Sequence, residues 1–231
     1  MEFLSTGCES LDRLLGGGIR RGEIALVYGK PGTGKTSLTM QCAFLCAKKG
    51  FKIIFVDSDW TFSPDRLAQI AGNELQEISP LILVFKPRNF REQTHLIEEL
   101  DNYNLRNITL IVIDTITALY RAELDTTEKI FALNMKLNWQ LAYLKELAQS
   151  YNIGVFLTSQ VHTIIQKNQS DERVEPVASR VLKFWAQKII NLEATENPRV
   201  KEARLETDSD RISDKVSCFY TLNSKGVVSF R

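Results

Sequence analysis

Histidine is scarce, with only His95 and His162 among 231 residues, and neither lies at ligand spacing from a cysteine pair. That argues against a structural zinc site. The four cysteines are scattered. Cys42 and Cys46, one helical turn apart, suit buried thiols in a reducing compartment better than a disulfide framework. No apolar run approaches the roughly 20 residues a membrane span needs, and Met1 to Thr6 lack a basic stretch followed by an apolar core. The expectation is a cytoplasmic chain with no membrane partner. Net charge is almost absent, 29 basic against 28 acidic residues. Any affinity for nucleic acid must therefore come from a local basic surface, because the whole molecule offers no long-range attraction to phosphate. Internal repeats and linkers are missing too, so one domain spanning residues 1–231 is expected, and 44% hydrophobic residues suffice for a sizeable core.

Short apolar runs bounded by turn residues alternate with helical-period stretches, the pattern of an α/β protein with a mostly parallel sheet. Strands are expected at Glu23–Tyr28, Lys52–Asp57, Leu81–Phe85, Thr109–Asp114, Gly154–Ser159 and Lys188–Glu193. The third, fourth and fifth read as continuous apolar runs, as in strands covered on both faces. Ser63 before Pro64, Asn89 with Glu92 three residues on, and Thr127 mark helix starts. The helix after Thr127 should run to about Ser150 and bury Ile130, Leu133, Leu137, Leu141, Leu144 and Ala148 as one stripe. After Glu193 the pattern changes to antiparallel strands near Val200–Thr207 and Val216–Leu222, then a turn at Asn223–Gly226 into a last strand. Gln166–Glu175 reads as a long polar loop, of the kind that is usually functional or disordered.

Gly29, Lys30, Pro31, Gly32, Thr33, Gly34, Lys35 and Thr36 satisfy G-x-x-x-x-G-K-[ST] at every fixed position, between a strand and a helix. Such glycines let successive backbone N–H groups turn inward onto phosphate oxygens, and the following helix adds its positive end. The pattern specifies ATP with Mg2+. Lys35 should reach the β and γ phosphates, Ser37 should stand beside the cradle, and the Thr36 hydroxyl should ligate the metal. Asp114 ends the apolar strand Leu110-Ile111-Val112-Ile113, which puts a second metal-side oxygen at the same place.

Beyond these motifs, several stretches together resemble the RecA/RadA recombinase family, most closely its archaeal RadB branch. Leu4-Ser5-Thr6-Gly7, Ser10-Leu11-Asp12 and Leu14-Leu15-Gly16-Gly17-Gly18 look like an opening segment that RadA-like and KaiC-like ATPases share. Phe55-Val56-Asp57-Ser58-Asp59, followed by Phe62-Ser63-Pro64-Asp65-Arg66-Leu67, is similar to D-[TS]-E-x-x-F-x-P-E-R. Asp114-Thr115-Ile116-Thr117-Ala118-Leu119-Tyr120-Arg121-Ala122-Glu123 resembles D-[ST]-[IL]-T-x-x-[FY]-R-x-E, the most discriminating block, and Thr158-Ser159-Gln160-Val161-His162 looks like the N-Q-V segment.

The resemblance covers roughly Leu4 to Glu193 and implies a RecA-like P-loop NTPase core. It implies that Asp59 is the base orienting the attacking water, that Arg66 stacks on adenine, and that Gln160 senses the γ-phosphate. It also implies DNA contacts from Arg121, in a loop spanning Arg121–Lys129, and from Lys167 and Arg173, in a loop spanning Thr163–Glu175. Each has a bland alternative: a turn residue at Asp59, a solvated helix residue at Arg66, a polar strand end at Gln160, and an Arg121 that braces its loop by pairing with Glu123 or another carboxylate. Aspartate at position 59 is one methylene shorter than the family's glutamate, so hydrolysis should be slow. The acidic run Glu206–Asp214 stands where a basic stretch is usual, which weakens the expectation of DNA affinity.

The resemblance starts at the first residues, so the expectation is a core without the N-terminal DNA-binding domain and aromatic linker motif of RadA. The resemblance therefore implies a weak, DNA-dependent ATPase that acts as a switch, with single-stranded DNA and the RadA recombinase as partners and homo-oligomerisation open. A KaiC-like signalling ATPase or autokinase working without DNA is the alternative. Paired glutamates usual in that group are replaced here by Ser58 and Asp59.

Overall fold

A computed structural model describes residues 2–124, 127–164, 173–206 and 216–230. The chain opens with β1 (Phe3–Leu4), α1 (Glu9–Leu15) and β2 (Ile19–Arg20), then β3 (Ile24–Gly29), α2 (Lys35–Lys48), β4 (Lys52–Asp57), α3 (Pro64–Ala71) and α4 (Leu75–Ile78). There follow β5 (Ile82–Phe85), α5 (Phe90–Glu98), β6 (Ile108–Asp114), α6 (Ala118–Ala122), α7 (Thr127–Tyr151) and β7 (Gly154–Ser159). The last part holds β8 (Val161–Ile164), β9 (Arg173–Pro176), α8 (Ser179–Trp185), β10 (Lys188–Ala194), β11 (Val200–Glu206), β12 (Ser217–Asn223) and β13 (Gly226–Ser229).

Nine strands form one sheet in the order β13-β12-β11-β10-β3-β7-β6-β4-β5. The six from β10 to β5 run parallel, and β11 to β13 extend the sheet antiparallel. β3, β6 and β7 are buried at every position, which is why their sequences are mostly apolar. Their side chains and those of β4 alternate between two cores. Val27, Phe55, Leu110 and Phe156 meet Leu38, Met40 and Cys42 of α2 on one face. Leu26, Ile54, Ile111 and Val155 meet Leu137, Leu141 and Leu144 of α7 on the other. Cys42 and Cys46 are buried free thiols, as expected.

Ser63 accepts from Arg66 N with Pro64 in the first turn of α3. Asn89 accepts from Glu92 N at 2.9 Å and starts α5. Both caps satisfy amide donors that the first helical turn leaves unpaired.

Four expectations need correction. Thr127 is the first residue of α7, not a cap ahead of it. Ile130 leaves the buried stripe and is 38% exposed, one turn beyond the sheet that covers Leu133 and its successors. Leu81–Phe85 is not covered on both faces: β5 is the edge strand and Val84 is 37% exposed. A four-residue apolar run looks alike at the centre or the edge of a sheet. The two supposed loops are also partly regular, because α6 and α7 occupy most of Arg121–Lys129, and β8 pairs antiparallel with β9 as a ribbon that takes in the two ends of Thr163–Glu175, residues 165–172 lying outside the described residues. β9 packs against β3 and α8, but strands of only four residues carry too short an alternation to stand out in the sequence.

Candidate nucleotide site

The parallel strands end at one edge of the sheet, and a cleft of about 350 Å3 lies there. Its lining combines Pro31, Gly32, Gly34, Lys35, Thr36 and Ser37 of the phosphate loop with Asp59, Thr61, Thr115, Gln160 and Leu222. Gly29, Lys30 and Thr33 form the back of the same loop.

Two glycines are required there by packing. A Cβ on Gly29 would stand 2.3 Å from the Leu192 carbonyl oxygen of β10, and Gly34, at φ 99°, would meet Leu222 Cδ2 at 2.6 Å. Thr33 Oγ1 donates to the Lys30 carbonyl at 2.9 Å and tightens the curl. The Thr33 carbonyl accepts the Tyr220 hydroxyl at 2.7 Å, so β12 pins the loop from outside. Gln41 of α2 clamps β13, donating to the Val227 carbonyl at 3.0 Å and accepting from Val227 N at 2.6 Å.

Lys35 Nζ folds onto the carbonyls of Gly29 (2.8 Å) and Lys30 (3.1 Å). Burial lowers its pKa from the ordinary lysine value, and Asp114 and Asp59 oppose that shift. Burial in turn raises the Asp114 carboxyl, while the Thr158 and Thr36 hydroxyls favour its ionised form. Oδ1 of Asp114 accepts from Thr158 Oγ1, but Oδ2 is buried without a hydrogen-bond partner. A buried acceptor left open on a carboxyl that has the Thr36 hydroxyl as a neighbour fits a hard cation that takes oxygen ligands, as Mg2+ does.

The backbone carbonyl of Asp114 also accepts from Ser58 N (2.9 Å) and Asp59 N (3.3 Å), which ties the loop after β4 to the end of β6. Asp57 completes that loop, accepting from Thr61 N at 2.9 Å and Phe62 N at 3.0 Å while its Oδ2 pairs with Lys86 at 3.2 Å. Asp59 Oδ2 then accepts from Gln160 Nε2 at 3.0 Å, and Gln160 Oε1 accepts from Arg121 Nη1 at 3.0 Å. Three residues read from separate motifs thus form one hydrogen-bonded chain. Gln160 stands between β7 and β8, and its carbonyl accepts from Val177 N at 3.0 Å just past β9, so the residue facing the cleft is also the root of the ribbon.

Other expected site residues lie elsewhere. Arg66 donates to the carbonyls of Asn223 (2.8 Å) and Ser224 (3.1 Å), outside the cleft lining, and so ties α3 to the β12–β13 turn. Arg121 engages Gln160, not Glu123, whose Oε1 accepts from Phe90 N at 3.1 Å. Lys167 and the side chain of Arg173 lie outside the described residues. Of the acidic run, Glu206 is occupied internally by Tyr28 and by Lys183 Nζ at 2.6 Å, and residues 207–215 lie outside the described residues. Asp57, Thr61, Thr115, Thr158, Tyr220 and Leu222 were not foreseen as parts of the site. Asp57 had a signal, since it ends its strand as Asp114 does. Tyr220 and Leu222 had none, because their distance along the chain from the phosphate loop leaves no spacing to read.

A Rad51 family model matches residues 1–229. The DNA repair and recombination protein RadB of Methanococcoides burtonii is 34% identical over 226 residues, 98% of this chain and 97% of that protein. The protein of the same description from Thermococcus kodakarensis is 35% identical over 228 residues, 97% and 98% of the two chains. A crystal structure described as the RadB recombinase superposes with a TM-score of 0.81 at 32% identity, covering 99% of this chain and all of that one.

Proposed function

The chain belongs to the Rad51 family, and from that premise we propose that it is an ATP-binding accessory protein of homologous recombination and DNA repair. It binds single-stranded DNA and assists or regulates the RadA recombinase, with slow ATP hydrolysis as its reset. We take residues 1–231 as one ATPase core working in the cytoplasm, able to associate with further copies of itself. Membership of this family favours the recombinase reading over the KaiC-like one.

The observation that carries the proposal is the hydrogen-bonded chain from Arg121 through Gln160 to Asp59. Gly29 to Ser37 would cradle the phosphates through backbone N–H groups, and Lys35 would exchange its two carbonyl partners for phosphate oxygens. Thr36 and Asp114 would hold Mg2+, which when bound supplies charge neutralisation between the phosphates. Asp59, which lines the cleft, would accept a hydrogen bond from the attacking water and so orient it. Gln160 can donate either to Asp59 or to a phosphate oxygen, and the choice moves the first residue of the β8–β9 ribbon. Nucleotide state is thereby tied to the segment that carries the DNA candidates.

ATPase rate with and without single-stranded DNA tests this. Slow turnover that DNA accelerates is expected, and brisk DNA-independent turnover would overturn the switch. Capture of RadA by the immobilised chain in ATP is the partner test, and the absence of any such capture removes that part of the proposal.

A further inference from the structure

A second cleft, of about 310 Å3, opens at the opposite edge of the sheet, where β4 and β6 begin. Strands of six or seven residues separate it from the nucleotide site by about 20 Å. Arg21, Phe51, Lys52, Arg106, Asn107 and Thr109 are among its lining residues, and no carboxylate is. Lys52 and Arg106 are exposed and, among the described residues, enter no ion pair. Arg21 uses Nε on the Asn152 carbonyl at 2.5 Å and has its remaining guanidinium donors to offer.

We propose that this cleft binds the sugar-phosphate backbone of single-stranded nucleic acid, as a contact separate from the β8–β9 ribbon. Lys52, Arg106 and Arg21 meet backbone phosphates, and the Phe51 ring offers a face to a base. An aromatic ring beside splayed cations is the arrangement that tracks a strand, whereas a free phosphate ion would leave the ring unused. The inference rests on the DNA-binding part of the function proposed above, and it places a second contact on the far side of the sheet.

The test is anisotropy of a labelled oligothymidylate with the full chain across a salt series, alongside ATP binding by the same preparation. The double variant Lys52→Ala/Arg106→Ala should bind DNA about tenfold more weakly, with a log–log salt slope shallower by about 1.4, the value for two phosphate contacts on a single strand. The charge-conserving pair Lys52→Arg/Arg106→Lys should restore both. Wild-type binding of ATP and DNA, with unaltered affinity and slope in the double variant, overturns this inference alone. A wild type that binds ATP but no DNA overturns it together with the DNA role proposed above. Inorganic tripolyphosphate binding that depends on Lys52 and Arg106, with DNA affinity independent of them, would reassign the cleft to small phosphates and sink the nucleic-acid reading.

Discussion

Gln160 donates its amide to Asp59 across 3.0 Å, so the proposed γ-phosphate sensor and the proposed base hold each other. An aspartate in this partnership has one of its oxygens turned toward Gln160, and its short side chain sets it back from the place where water must be activated. Replacing Asp59 by Glu should therefore speed ATP hydrolysis by up to about a hundredfold, the scale of a 1 Å correction in a reacting geometry. Steady-state turnover is the measurement, and a variant no faster than wild type would show that reach is not limiting. Asp59→Asn should abolish turnover while ATP still binds.

Arg121 fixes which way the Gln160 amide points, because its guanidinium occupies Oε1 and leaves Nε2 for Asp59. Arg121→Ala should blunt the difference in DNA affinity between ATP-bound and nucleotide-free protein by tenfold or so, about 1.4 kcal/mol of coupling. Paired DNA titrations read this directly. An undiminished difference would mean that the ribbon is informed by another route.

Lys35 predicts opposing pH trends. Its folded pKa lies below the ordinary 10.5, so between the two values the unfolded chain binds more protons and stability rises with pH. Over the same window the lysine loses its charge, and ATP affinity should fall. Thermal melts and ATP titrations from neutral to alkaline pH check both signs, and Lys35→Arg should flatten both trends because the guanidinium stays protonated. Asp114 acts on the acid side. Its carboxyl is held above the ordinary value by burial, so magnesium-dependent ATP binding should weaken as pH drops toward that raised pKa.

Tyr220→Phe removes the hydroxyl that satisfies the buried Thr33 carbonyl. A loss of about 1–2 kcal/mol in urea unfolding is expected, together with weaker ATP binding, since the loop loses its outer support. If only stability changes, Tyr220 holds the strand and not the cradle.

Gln41→Leu strands both backbone groups of Val227 inside the protein. Roughly 2–4 kcal/mol should be lost on unfolding, because two buried polar groups go unpaired. Limited proteolysis should show β12 and β13 releasing before the rest of the sheet.

Much of this was legible from local pattern. Six parallel strands, the phosphate loop, Asp114 and the caps at Ser63 and Asn89 all declare themselves through periodicity or fixed spacing. Asp59, Gln160 and Arg121 were named from three separate motifs, and the chain that joins them is visible only where β4, β6 and β7 end side by side. Failures came where sequence carries no directional information. An apolar run does not say that β5 is an edge, and the polar stretch after Gln160 hides a ribbon. Nothing near Arg66 indicates that its partners are Asn223 and Ser224. Tyr220, Leu222 and Gln41 act through contacts that no local window spans.

The bond between Tyr220 and Thr33 joins positions 187 residues apart. During synthesis the phosphate loop leaves the ribosome early, yet the strand that braces it, and the Leu222 side chain that lines the cleft, follow only near the end of the described chain. A nascent chain carrying Gly29 to Thr36 but not yet β12 would hold an unbraced loop. The brace on this loop thus arrives only with the last strands of the sheet, long after the loop itself has been made.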